Sequence, residues 1–116
     1  MNLGAIGEES ALKFLEAKDF VIVARNFRFE RAEIDLIVKD KARKLIVFIE
    51  VKTRRNKKFG EPEESVTQKK TEQICKSAEG FILQHPEFAE YEKRFDIIAI
   101  IAEGKTEVIN HFENAF

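Results

Sequence analysis

Five consecutive apolar residues, Leu45 to Ile49, followed at once by Glu50-Val51-Lys52, constrain this chain more than any other segment. The apolar run predicts a β-strand that is buried on both faces, because strands favour β-branched and aromatic residues and avoid acids. Residues two apart in a strand point to the same side, so Glu50 and Lys52 should project together while Val51 faces the other way. The sequence therefore predicts a buried strand whose end carries an acid and a base.

The preceding predicted strand carries a second acidic pair. In Glu33-Ile34-Asp35 the same spacing places both carboxylates on one face. Two neighbouring strand ends that together offer two or three carboxylates and a lysine are typical of a divalent-metal site for phosphoester cleavage, and oxygen ligands suit Mg²⁺ or Mn²⁺. The alternative is a buried ion-pair network, Glu50 with Lys52 and Asp35 with an arginine, although such networks are often no more stable than apolar packing.

A third acid comes from a helix predicted over residues 3 to 18. Its apolar face is made of Ala11, Leu12, Phe14 and Leu15. Glu8 lies on that face by its helical spacing, whereas Glu9 falls about 100° away and should be solvated. A carboxylate on an inward face is costly unless it is paired or bound to a cation. The alternative for Glu8 is a first-turn acid that the helix dipole stabilises.

The remaining elements complete an α/β pattern. In all, five strands are predicted, at residues 20–29, 31–38, 44–53, 95–101 and 106–112. A second helix follows a capping box at residues 65–68 and ends near Gln84. That helix turns Thr67, Ile74, Ala78 and Phe81 inward, with Lys70 at the margin of the face and Lys69 well away from it. The third and fourth strands flank it in a βαβ unit and should be parallel. The order αβββαββ predicts a three-layer sandwich, a central mixed sheet flanked by helices, with residues 1–116 as a single domain.

Charge is unevenly distributed along the chain. Residues 39–58 contain nine lysines and arginines against two acids, a net of +7, whereas the other residues have eleven against nineteen, a net of −8. A basic segment on an acidic body can hold a phosphate backbone while the rest of the surface repels it. The alternative is a solvated loop. The candidate phosphate contacts directly after the acidic strand end are Arg54, Arg55, Lys57 and Lys58.

Composition and sequence pattern limit the expected cellular compartment of the protein and the kinds of metal that it could bind. No apolar run approaches the roughly 20 residues that cross a bilayer, and the N-terminus lacks the basic and apolar regions of a secretory signal. With one cysteine the chain forms no internal disulfide, so a cytoplasmic location is expected. Neither His85 nor His111 has a partner at metal-ligand spacing, which argues against zinc. Asp96 is expected to bond the backbone or Arg94 rather than a metal.

Several short segments, in order and at matching spacing, resemble a known family. They are Gly4-x-x-Gly7-Glu8-x-x-Ala11, Arg25-Asn26-x-Arg28, Glu33-Ile34-Asp35-Leu36-Ile37, Phe48-Ile49-Glu50-Val51-Lys52-x-Arg54, Lys70, Arg94-Phe95-Asp96 and Asn114-Ala115-Phe116. Together they resemble the YraN family of bacterial proteins, also called UPF0102, within the PD-(D/E)XK nuclease superfamily. The YraN family in turn looks like archaeal Holliday junction resolvases. The resemblance implies a restriction-endonuclease-like fold and cleavage of DNA with Mg²⁺ or Mn²⁺, and its resolvase side implies branched DNA.

The resemblance also implies roles for individual residues. Asp35 and Glu50 would ligate the metal, Glu8 would complete the site directly or through water, and a carbonyl near Val51 would add a ligand. Lys52 would orient or help activate the attacking water. Lys70 matches a lysine of the family's second helix and joins the candidate nucleic-acid-binding residues. Glu33 has no counterpart in the wider superfamily, so it stays open between a site residue and a salt bridge to a basic strand neighbour.

Three functions compete at this point. The first is a metal-dependent endonuclease acting on DNA, for which a two-fold homodimer would suit a symmetric junction. The second is a nucleic-acid-binding module that keeps the nuclease fold with little or no catalytic activity. The third is a structural adaptor for another protein, which would need a large exposed apolar patch.

Overall fold

The computed structural model describes residues 3–55 and 68–115. Its helices are α1 (Leu3–Ala17) and α2 (Gln68–Gln84), and a 3₁₀ turn follows at Pro86–Phe88. Its strands are β1 (Phe20–Phe29), β2 (Ala32–Asp40), β3 (Leu45–Arg54), β4 (Glu92–Glu103) and β5 (Thr106–Phe112). The order αβββαββ confirms the prediction, whereas the start of the predicted capping box and Thr67 lie outside the described residues. Neither described helix is long and apolar enough to cross a membrane.

The five strands form one mixed sheet in the order β1-β2-β3-β4-β5. Only β3 and β4 are parallel, as the βαβ pattern predicted, and the other neighbours are antiparallel. β4 is internal, in agreement with its apolar sequence. It begins at Glu92, earlier than predicted, because Glu92 is aligned with Leu45 and its N–H donates to the Lys44 carbonyl at 2.9 Å.

β2 is also longer than predicted and ends at Asp40, which is aligned with Phe20 of β1. The Asp40 carboxylate then closes the turn into β3 by accepting hydrogen bonds from the N–H groups of Ala42 at 2.7 Å and Arg43 at 3.1 Å. These bonds satisfy backbone donors that the sheet no longer pairs, a common role of aspartate in turns. The turn between β2 and β3 therefore spans residues 41–44, closer to β3 than the gap between the predicted strands at residues 31–38 and 44–53.

Each face of the sheet carries its own core. On one face, Ala11, Leu12 and Leu15 of α1 pack with Val47 and Ile49 of β3. On the other, Ile74, Ala78 and Phe81 of α2 pack with Ile46 and Phe48. Alternate residues of β3 thus serve opposite layers, and each fully buried side chain of this size contributes roughly 1.5–3 kcal/mol. The three-layer sandwich with helices on both faces is confirmed.

Two glycines set how closely the helices approach the strands. A Cβ added to Gly7 of α1 would lie 2.1 Å from Oγ1 of Thr53, and one added to Gly80 of α2 would lie 2.6 Å from the ring of Phe29. Beside Gly80, the Ser77 hydroxyl donates to the Phe29 carbonyl at 3.3 Å. Only glycine allows such contacts, so α1 is seated on β3 and α2 is seated on the end of β1.

β1 departs from regular strand geometry at two points. Its register with β2 shifts between Ile22 and Ala24, and Asn26 has a φ of 51°, in the left-handed region. Asn26 lies across from Asp35, since Arg25 is aligned with Leu36 and Phe27 with Ile34. The irregular backbone of the β1–β2 ladder therefore falls beside one of the predicted site residues.

Candidate functional site

The candidate site lies where β2 and β3 stop pairing. Within these two strands, the last pair of the antiparallel ladder is Leu36 with Ile49. One step further, a side chain replaces the ladder: Oδ2 of Asp35 accepts a hydrogen bond from the N–H of Val51 at 2.7 Å. The N–H and C=O of one strand residue point towards the same neighbouring strand. The Val51 carbonyl therefore also points into the opening between β2 and β3, where a backbone ligand was expected.

Side chains reach this opening from both helical layers. Val51 packs in the α1 core, so Glu50 and Lys52 project towards the α2 side, as the spacing of two predicted. Glu8 approaches from α1, close enough for its charge to act on Asp35. Lys70 approaches from the first turn of α2. An opening at the end of a strand pair thus brings together residues from four elements.

Glu50 is the centre of a two-lysine cluster. Its Oε1 lies 3.1 Å from Nζ of Lys52 and 2.5 Å from Nζ of Lys70, so both ammonium groups bond the same oxygen. Burial lowers the pKa of Lys52, as does the neighbouring Lys70, against the opposing charge of Glu50. The expected ion pair between Glu50 and Lys52 is therefore present. The expected ion pair between Asp35 and an arginine is not, because no arginine among the described residues pairs with Asp35.

Asp35 has an unusual protonation equilibrium. Its pKa is raised to about 6: burial raises it most, the Val51 N–H opposes that change, and the charges of Glu50, Glu8 and Glu33 add to the increase. A partly buried carboxylate near three other carboxylates is energetically unfavourable unless positive charge compensates it. Asp35 is thus the group in the opening that has most to gain from a bound cation.

Asn26 links the two acids at the rim of the opening. With its amide oriented so that the nitrogen faces them, it donates to Oε1 of Glu8 at 3.3 Å and to Oε1 of Glu33 at 3.1 Å. Glu33 also pairs with Arg28 at 3.1 Å, which is the salt bridge to a strand neighbour that was one of its two alternatives. Asn26 appeared in the sequence only as part of a family motif. A polar Asn inside a strand is a signal for the left-handed backbone found here.

The orientation of α1 agrees with the helical wheel. Glu8 is partly buried, whereas Glu9 is exposed and forms a surface ion pair with Arg25 at 3.2 Å. Phe14 is only partly buried against the α1 core. The two adjacent acids therefore have different environments, as predicted, although the role of Glu8 as a ligand stays a prediction.

A cleft of about 530 Å³ opens onto these residues from the α2 side. Its floor contains Glu33, Asp35 and Glu50, and its rim carries the cations Arg31, Lys69 and Lys70. Lys69 is exposed and Lys70 is partly buried, in agreement with their predicted positions on α2. An acidic floor beneath a basic rim can hold a cation below and a phosphate group above.

The donor set fits a hard divalent cation. Asp35, Glu50 and Glu8 offer carboxylate oxygens, the Val51 carbonyl adds a neutral oxygen, and Mg²⁺ or Mn²⁺ prefers such ligands. In the side-chain arrangement described for residues 3–55 and 68–115, however, no three acidic, histidine or cysteine side chains are grouped closely enough to hold a metal. Both lysine ammonium groups bond Oε1 of Glu50, so they compensate the charge of one of the proposed ligands.

The predicted basic segment is only partly described. Arg54 is half-buried at the end of β3 and its Nη1 donates to the Thr53 carbonyl at 3.1 Å, while Arg55 is exposed. Lys57 and Lys58 lie outside the described residues. Of the three candidate phosphate contacts that are described, Arg54, Arg55 and Lys70, Lys70 is the one that lines the cleft.

A second buried polar cluster lies away from the cleft, on the α1 side of β4 and β5. Asp96, whose side chain is fully buried, accepts bonds from Nε of Arg94 at 2.9 Å and from the Asn114 N–H at 3.1 Å. The His111 ring lies 2.6 Å from the same carboxylate. The Arg94 partner and the backbone partner were predicted. His111 was not given a partner from sequence, although its place beside Ile98 in the β4–β5 ladder puts it on the face of Asp96.

The fold and the site together define the class of protein. It is an α/β sandwich with a cluster of acids and lysines at an opening between two strands. Comparison with known proteins gives the family. The family model described as "Uncharacterised protein family UPF0102" matches residues 7–100, and the chain belongs to this family. The family expected from the sequence motifs is thereby confirmed.

Individual relatives match along nearly their whole length. A UPF0102 protein of Caldicellulosiruptor bescii is 46% identical over 121 residues, with 100% of both chains covered. A UPF0102 protein of Syntrophomonas wolfei is 41% identical and covers 99% of this chain and 97% of its own. One of Dictyoglomus turgidum is also 41% identical with the same coverage. These names carry a family but no activity.

Proposed function

We propose that this protein is a metal-dependent nuclease that hydrolyses phosphodiester bonds in DNA. The observation that carries the proposal is the convergence of Asp35, Glu50 and Lys52 at the opening between β2 and β3, with Glu8 reaching it from α1. A purely structural ion-pair cluster would balance its charges. Here Asp35 is partly buried near other acids and its pKa is raised to about 6, which favours a site that receives a cation.

In this proposal Asp35 and Glu50 hold the metal, with Glu8 and the Val51 carbonyl completing its surroundings. Bound Mg²⁺ or Mn²⁺ would neutralise a phosphate oxygen and lower the pKa of a coordinated water. Lys52 is held beside Glu50 by their shared strand face. Because burial and Lys70 lower the pKa of Lys52, its Nζ is well placed to exchange a proton with water or with the leaving oxygen.

The phosphate would lie above the acidic floor, between the cations of the rim. Lys70 can contact a backbone oxygen there, and Arg54 and Arg55 lie at the end of the same strand that carries Glu50. Such contacts position the DNA without reading its sequence. Preference for branched DNA is the finer part of the proposal and rests on the resemblance to resolvases, and a two-fold dimer would present two sites to a symmetric junction.

The test is incubation of the purified protein with linear, nicked, flapped and four-way DNA, with Mg²⁺, with Mn²⁺ and with EDTA. We expect cleavage with metal only, and its loss in Glu50→Gln but not in Glu9→Gln, which alters an exposed acid on the same protein. Preference for the four-way substrate would support the branched-DNA proposal. Equal cleavage of all substrates would leave a general nuclease.

One observation favours the second candidate, a DNA-binding module with little activity. Both lysines bond Oε1 of Glu50, so the proposed ligand is already neutralised. Binding of DNA without cleavage in any metal, unaffected by Glu50→Gln, would support this candidate. For the adaptor candidate, the exposed large apolar side chains of the described surface are Leu83 and Val108, which lie on different elements.

A further inference from the structure

The two lysines on Glu50 differ in how they are held. Lys52 lies two residues from Glu50 on the same strand face, and its side chain is 14% exposed. Lys70 comes from a different layer, at the start of α2, and its side chain is 36% exposed. A lysine ammonium on a flexible four-carbon stem can change partners when one side of it faces solvent. Lys70 is therefore the cation that can leave Glu50 without moving the backbone of β3.

We propose that Lys70 competes with the divalent cation for Glu50, so that the site binds its metal tightly only when the Lys70 ammonium has moved to another anion. This inference rests on the proposed function and adds to it a means of regulation. The shared oxygen is the physical basis, because Oε1 of Glu50 accepts from Lys70 at 2.5 Å and from Lys52 at 3.1 Å. Two ammonium groups beside one carboxylate oxygen compensate its charge and repel a second cation, so they weaken its attraction for a metal ion.

The surroundings of Lys70 support this competition. Its Nζ lies 2.5 Å from Oε1 of Glu50, so Lys70 must move to release the carboxylate. The cleft supplies a place to move to, since Lys70 lines it together with the cations Arg31 and Lys69. A phosphate of the substrate entering there would attract Lys70 and free Glu50.

Such an arrangement couples two binding events. If a phosphate draws Lys70 away from Glu50, it raises the affinity for metal, and by linkage the metal raises the affinity for the phosphate by the same factor. The protein would then assemble its full metal site mainly on the substrate.

The experiment is a calorimetric titration of Mn²⁺ into the full-length protein without DNA. Lys70→Met keeps the apolar stem and removes the charge. Lys69→Met is the matched control, because Lys69 lies next in sequence on the same rim but makes no ion pair with Glu50. Lys70→Arg keeps the charge. A charged hydrogen bond of this kind corresponds to roughly a tenfold or larger change in affinity.

We expect Mn²⁺ to bind Lys70→Met about tenfold more tightly than the wild type, with Lys69→Met and Lys70→Arg close to the wild type. Unchanged or weaker binding by Lys70→Met, while the wild type binds, would overturn the competition and leave the proposed nuclease intact. Failure of both proteins to bind Mn²⁺ would also overturn the competition, and the cleavage assay with Mg²⁺ or Mn²⁺ would then decide the proposed function separately. Lys70→Gln, titrated in parallel, serves if Lys70→Met does not fold.

Discussion

Replacing Asp35 by asparagine should stabilise the fold at neutral pH when no metal is present. Burial and the neighbouring carboxylates raise the pKa of Asp35 from 3.8 to about 6. The folded protein thus holds this proton more tightly than the unfolded chain. The resulting stability is fully present below about pH 4 and is lost as the pH rises through 6. A shift of about two pKa units corresponds to about 3 kcal/mol, and Asp35→Asn, which never ionises, avoids that loss.

The assay is urea unfolding in EDTA at several values between pH 3 and pH 8. We expect Asp35→Asn to match the wild type at low pH and to exceed it by about 2–3 kcal/mol at pH 8. Mn²⁺ at one thousand times its Kd should reverse the order, since a ligand at that concentration stabilises the binding-competent protein by about 4.1 kcal/mol. The same residue would then weaken the empty fold and strengthen the loaded one.

Asp40→Asn provides a control of opposite sign. Hydrogen bonds from the N–H groups of Ala42 and Arg43 lower the pKa of Asp40, so its substitution should reduce stability at neutral pH. A gain in stability for Asp35→Asn that is the same at pH 3 and pH 8 would refute the electrostatic argument. So would a wild type whose stability does not change between pH 4 and pH 7.

Three further changes test other parts of the structure. Glu8→Gln should weaken Mn²⁺ binding about tenfold. Glu9→Gln should change neither Mn²⁺ binding nor stability by more than about 0.5 kcal/mol. Similar Mn²⁺ titration curves for the two variants would contradict the orientation of α1. Gly80→Ala should lower the free energy of unfolding by about 1–3 kcal/mol, because its Cβ would collide with the Phe29 ring 2.6 Å away, and a more stable variant in urea would show that α2 can shift freely. Asp96→Asn should cost about 3–5 kcal/mol, since it breaks a buried charged network. Despite its burial, bonds from His111 and Arg94 lower the pKa of Asp96, so the loss should shrink as the pH falls below about 4, and a loss independent of pH would argue against the charge.

Much of the fold follows from local pattern. The apolar runs of β3 and β4 predicted internal strands. The helix between them predicted that they are parallel, because a helical crossover brings the chain back to the end of the sheet at which the first strand began. The faces of α1 and α2 followed from the helical period. Strand ends were less predictable: β4 begins at Glu92 rather than Phe95, since polar residues can extend a strand wherever a neighbour such as Lys44 still offers a backbone partner.

The sequence predicted which residues belong to the candidate site but not how their side chains are arranged in it. Spacing of two placed Glu50 with Lys52, and the helical wheel separated Glu8 from Glu9. Nothing in the sequence showed that β2 and β3 separate beyond the Leu36–Ile49 pair, on the side of Asp35 and Val51, because ladder length depends on competing contacts from both layers. Nor could it show that Lys70 and Lys52 share one oxygen of Glu50, which depends on how deeply α2 is seated.

The irregularities of β1 have a consequence for the protein's behaviour in concentrated solution. β1 is an outer strand of the sheet, and a regular outer strand presents a row of unpaired N–H and C=O groups to which another chain can add. The register shift after Ile22 and the left-handed Asn26 interrupt that row, and the charged side chains of Arg25 and Arg28 flank the second break. The backbone feature that holds Asn26 against Glu8 and Glu33 thus also makes this edge a poor template for aggregation.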